Sequence, residues 1–227
     1  MDSSASINQG DKNNYQRIKD FIAGFVKSVV IGQNDTRIGL ATFSSQNSFR
    51  VHFNFTEYSA TEELVNAVQS IPYDAGDTYM GAALTRIRTD IFSMAREGIP
   101  KILIILTDGK SQDKVSVPSK SLRDEGVHII SVGVGNAVYS ELADMASEPD
   151  KENIYKATFD SLSNIFGTLQ ETVCKGNWIF RINTWVRLLF SGKGNLQKRF
   201  FACQVFIIIS WDQNNFFSFS PFLLDFL

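Results

Sequence analysis

Cysteine is scarce in this chain. Two residues among 227, Cys174 and Cys203, are too few for a disulfide scaffold, so the fold must rest on a packed core. Histidine is equally scarce: His52 and His128 lie far apart on strand-like stretches, where structural roles are expected. Neither joins a Ser/His/Asp or Cys/His set with a supporting motif, so no catalytic residue is assigned and enzymatic activity is not expected. No block of like charge stands out. The 22 Lys and Arg against 24 Asp and Glu give a net charge of −2, which argues against a surface built for nucleic-acid phosphates. No apolar run reaches the ~18 residues of a membrane-spanning helix; the longest candidate, 200–209, falls well short and contains Gln204. Met1 is followed at once by polar residues, so a secretory signal pattern is not seen. Gly133-Val134-Gly135 lacks the third glycine of a dinucleotide fingerprint, because that position falls on Val138.

What the chain does have is apolar periodicity, with 44% hydrophobic residues, enough for one domain and an appendage. Tyr15, Ile18, Phe21, Ile22, Phe25, Val26, Val29 and Val30 follow helical spacing, with Gly32 as a stop. Residues 36–43 read as a buried strand. Phe49, Val51, Phe53 and Phe55 alternate with polar residues, as in a strand with one wet face, and the short turn before them predicts an antiparallel edge hairpin. Ser59-Ala60-Thr61-Glu62 has the form of a capping box opening a helix with Leu64, Val68 and Ile71. Thr78 starts a longer helix carrying Leu84, Ile87, Ile91 and Phe92. Residues 102–106 and 127–134 are continuous apolar runs, expected of strands covered on both faces. Between them lies a weak helix, 118–125. A short helix over 139–146, a short edge strand over 153–156 and an amphipathic helix over 159–173 complete the pattern. The alternation predicts an α/β fold, a doubly wound and mostly parallel sheet with helices on both faces.

Composition changes after Cys174. Residues 175–227 hold all three tryptophans and ten of the 19 phenylalanines, with no steady period. The expected organisation is one domain over 1–174 and an aromatic-rich tail over 175–227.

Three short segments offer hard oxygen ligands from loops: Asp2-Ser3-Ser4-Ala5-Ser6, Gly76-Asp77-Thr78, and Thr107-Asp108-Gly109 at the end of an apolar strand. A hard divalent cation takes about six oxygens. Asp2 and Asp108 supply carboxylates; Ser4, Ser6 and Thr78 supply neutral hydroxyls. Alternation in D-x-S-x-S puts its three side chains on one side of an extended segment. Two carboxylates leave such a cation incompletely neutralised, so an open position suits a carboxylate from another molecule. The cation is then a bridge rather than a catalyst. Each element alone is weak or moderate evidence; the three in order on an α/β pattern are strong.

In this order the segments resemble the metal-ion-dependent adhesion site of von Willebrand factor type A domains, over roughly residues 2–174. Arg37-Ile38-Gly39-Leu40-Ala41-Thr42-Phe43-Ser44, Gly81-Ala82-Ala83-Leu84 and Val132-Gly133-Val134-Gly135 resemble the matrix type found in type VI collagen and matrilins. The resemblance implies a Rossmann-like sheet with the metal site at its top. It implies Asp2, Ser4 and Ser6 as direct ligands of Mg²⁺ (or Mn²⁺ or Ca²⁺), Thr78 direct or through water, and Asp108 through water, with Asp77 flanking. It also implies an extracellular, secreted parent protein that adheres through the cation to an acidic residue of a collagen or another matrix protein. The alternatives are an intracellular subunit of a metal-dependent or ATP-driven complex, and a truncated isoform without function.

Two departures from the family pattern stand out. The family's central first strand, an apolar run just before D-x-S-x-S, is missing, and so is the cysteine that would pair with Cys174. Two expectations follow for the tail: it is sequence unrelated to the domain, or 203–210 fills the central slot. Asn34-Asp35-Thr36 and Asn54-Phe55-Thr56 match glycosylation sequons.

Overall fold

The computed structural model describes residues 11–43, 48–72, 78–175 and 204–210. In chain order these form α1 (Asn14–Ser28), β1 (Arg37–Phe43), β2 (Phe49–Phe53), α2 (Thr61–Gln69) and α3 (Met80–Arg86), which runs on as a π turn, Ile87–Ile91. Then come β3 (Lys101–Thr107), α4 (Ser116–Asp124), β4 (Val127–Val134), α5 (Tyr139–Met145), α6 (Asp150–Asn153), β5 (Ile154–Ala157), a 3-10 segment Phe159–Ile165, α7 (Phe166–Lys175) and β6 (Gln204–Ser210).

The six strands lie in the order β2-β1-β6-β3-β4-β5. All neighbours run parallel except the edge hairpin β1–β2, which is antiparallel as its turn predicts. Parallel strands need covered faces, and two helical layers supply them. Ile38, Leu40, Ile102, Ile104, Ile130 and Val132 face α1, α2 and α7. Ala41, Leu103, Ile105 and Ile129 face α3, α4 and α5.

The central position of the sheet, between β1 and β3, is filled by β6. Gln204 stands beside Arg37 and Lys101, and Ile209 beside Thr42 and Leu106, so one register holds along both sides. Val205 and Ile207 join one core and Phe206 and Ile208 the other, the period-2 alternation of a strand buried on both faces. Burying each such side chain contributes about 1.5–3 kcal/mol. For four of them that is on the scale of a domain's whole net stability of ~5–15 kcal/mol. Within the tail, this strand therefore belongs to the core of the sheet.

Several boundaries differ from the sequence reading. The capping box at Ser59 does not form: α2 begins after Ala60, with no side-chain cap. Nor does Thr78 cap α3, whose N-cap is Tyr79. The helical pattern over 159–173 splits into 3-10 and α parts, with a Thr158/Ser161 capping box at its start. α1 stops at Ser28, short of Val30, as Val29 turns extended.

Candidate metal centre

The apolar strand β3 ends at Thr107, and Asp108 follows at its carboxyl end, half-buried. Crevices at the carboxyl ends of parallel strands are where such sheets collect ligands. From Asp108 the chain folds back over the start of α3. Gln112 N donates to the Thr78 carbonyl at 2.8 Å, which ties Thr78 to the loop that Asp108 opens.

The first amides of α3 are capped from across the sequence rather than from Thr78. Met80 N donates to Ser111 Oγ at 3.0 Å, and Gly81 N and Ala82 N donate to the two Asp113 carboxylate oxygens at 2.7 Å each. Ser111 Oγ donates in turn to Asp113 Oδ1 at 2.7 Å. A carboxylate against exposed helix amides gains from both hydrogen bonding and the helix dipole. Gly81 makes this approach possible: a Cβ there would sit 2.3 Å from the Lys114 carbonyl oxygen. Glu141 of α5 closes the other side, accepting from Ser111 N at 2.9 Å. Its carboxyl is pushed above the usual range, chiefly by burial. These groups border an open cleft of about 550 Å³.

Asp113, Ser111 and Glu141 carry no local motif, and sequence reasoning did not find them. Their partners lie about thirty residues away, so the only available signal was the Ser-x-Asp spacing after T-D-G. Of the five expected metal-site residues, Thr78 and Asp108 are brought onto neighbouring loops at the top of the sheet. Asp2, Ser4 and Ser6, with Asp77, lie outside the described residues.

The fit of this site to a cation can be tested on Thr78. Its side chain is fully buried, yet Oγ1 has no hydrogen-bond partner among the described residues. A buried hydroxyl left unpaired costs about 1–3 kcal/mol, so an oxygen-seeking cation suits it. Among the described residues no cluster of three or more His, Cys, Asp or Glu could hold a metal ion. The expected donor set, mostly hydroxyls with one carboxylate outside those residues, would form no such cluster.

The pattern of the von Willebrand factor type A domain matches residues 1–168. The chain belongs to this family. Matrilin-1 of Gallus gallus is 35% identical over 178 residues, 77% of this chain and 35% of its own length. The collagen alpha-1(XII) chain of Notophthalmus viridescens is 36% identical over 77% of this chain and 19% of its own. The chain thus spans about a third or less of these two relatives. Among solved structures, proximal thread matrix protein 1 from the mussel byssus, with a zinc-occupied MIDAS motif, superposes with a TM-score of 0.69 at 28% identity. That match covers 76% of this chain and 46% of that one. The type A domain here thus has relatives named for collagen, for matrilin and for a thread matrix, and the last of these has been solved with zinc in its own MIDAS motif.

Proposed function

We propose that this type A domain is a binding module of the extracellular matrix that uses a divalent cation, Mg²⁺ first, to hold an acidic residue of a collagen or another matrix protein. The observation that carries the reading is the buried, unpartnered Thr78 hydroxyl on the loop next to Asp108. Asp2, Ser4, Ser6, Thr78 and Asp108 would hold the cation, which when bound supplies an electrophilic position for a partner carboxylate. The chain's own contribution is rigidity. β3 fixes the Asp108 backbone, while Asp113 and Ser111 pin the loop to α3, so the Thr78 and Asp108 loops are held in place before a ligand arrives. The matrilin and collagen relatives support the choice of partner.

The test is a Mg²⁺ titration of the full chain followed by thermal unfolding, with Asp108→Ala as control. Cation at 100 times its Kd should raise Tm by about 5–10 °C in the parent chain and leave the variant unmoved. A parent transition indifferent to Mg²⁺ would sink the metal reading. Collagen retention that survives EDTA would sink the bridging role while leaving the metal site standing.

A further inference from the structure

We propose that the slot between β1 and β3 is a strand-accepting site that takes residues 204–210 from a second copy of this chain as well as from its own. The strand arrives as a separate piece. Both of its neighbours are remote in sequence, and residues 176–203, 28 in number, connect it to α7. Fully extended, that many residues reach roughly 90–100 Å. A folded unit of this size has a radius of gyration of only about 15 Å. The connection is therefore long enough for a neighbouring molecule.

Recognition inside the slot is local and specific. β1 and β3 each offer a parallel ladder in a single register. Gly39 leaves a notch for the Phe206 ring: a Cβ on Gly39 would lie 2.6 Å from that ring. The ring then meets Phe55 at 5.9 Å and Phe92 at 6.3 Å between centroids. At the entry, Arg96 N donates to Gln204 Oε1 at 3.0 Å and Gln204 Nε2 donates to Arg96 O at 3.2 Å. Gln204 N donates to Pro100 O at 2.9 Å. All the accepting groups lie within 37–107. None of these contacts depends on which molecule supplies the strand, so an exchanged pair keeps every one of them. The two forms differ only in the entropy of closing the connection, which favours the intramolecular form in dilute solution. Joint refolding at high concentration offsets that preference.

Two full-length variants test the proposal without the metal. Phe206→Asp with Ile207→Asp spoils the inserting strand but leaves the slot; Gly39→Val fills the notch but leaves the strand. Each is refolded alone and then as a concentrated equimolar mixture. The expected result is no cooperative thermal transition for either variant alone. The mixture should recover a transition with about half the parent amplitude, since only one slot per pair is intact, and elute as a two-chain species. A mixture no better than its components shows that the strand acts only within its own chain and overturns the proposal. So does cooperative folding of either variant alone, because the slot would then not need the fit of Phe206 to Gly39.

Discussion

Thr78 shows how a single atom can carry a function at a cost to the fold. Its hydroxyl is buried and unpartnered among the described residues, so replacing it with an apolar group of the same shape removes a penalty. Thr78→Val should leave stability in EDTA unchanged or raise it by up to about 1 kcal/mol, while abolishing the Mg²⁺-dependent rise in Tm. A purely structural threonine would give neither result. Gly81 and Asp113 test the loop that supports the site. In a helix interior alanine is better than glycine by about 1 kcal/mol, but at Gly81 the new Cβ would collide with the Lys114 carbonyl oxygen, which is backbone and cannot swing away. Overpacking of this kind costs typically 1–3 kcal/mol, so Gly81→Ala should be destabilising in urea unfolding. Asp113→Ala should lose about 2–3 kcal/mol, since two helix amides and one hydroxyl lose a charged acceptor. At this scale the sequence singles out Thr78 and Asp108 as candidates because each sits in a short contiguous motif. It does not single out Asp113, whose helix-capping role joins two loops about thirty residues apart.

Elements whose two faces are decided by a strong period were legible in the same way. The runs forming β3 and β4 are apolar throughout, and the hairpin strand β2 alternates. The capping box at Ser59 misled because its residues fit the pattern while the backbone enters α2 one residue later, with Ala60 as N-cap. β6 was ambiguous for a different reason. Seven residues inside an aromatic-rich tail carry no signal of what stands on either side, and only the sheet supplies that. Its register rests on Gln204, whose buried amide pairs with both backbone groups of Arg96. Gln204→Leu should therefore cost about 1–3 kcal/mol for the polar groups it strands. Phe206→Ala, with a cavity between two helical layers, should cost about 3–5 kcal/mol. Guanidinium denaturation of the full chain checks both.

At the scale of the whole molecule, two partly buried groups among the described residues contribute opposing slopes to the response to acid. Burial holds the half-buried His128 below its ordinary pKa, against the opposing effect of its bond to Asn153 Oδ1 at 2.7 Å. The unfolded chain therefore binds this proton first, and stability is lost as pH falls below about 6.5. Glu141 acts in the opposite direction at lower pH. Its raised pKa makes the folded state the better proton acceptor just above the usual carboxylate range, so that contribution grows as pH falls. His128→Gln should flatten the loss below pH 6.5, and Glu141→Gln should remove the opposing slope; thermal unfolding at constant ionic strength from pH 7 to pH 4 reads both.

The central place of β6 also fixes a timetable for biosynthesis. β1 and β3 are made long before their shared neighbour, which begins about a hundred residues after β3 ends. At ~5–20 residues per second, a nascent chain spends roughly 2–10 s between the end of β5 and the start of β6 with two partial sheets, β2–β1 and β3–β4–β5, whose inner edges have no strand between them. Bare strand edges are templates for pairing with other chains. Successive ribosomes on one message would hold such edges close together, so the interval before residue 210 emerges is when this protein most needs a chaperone, and when slower translation would do most harm.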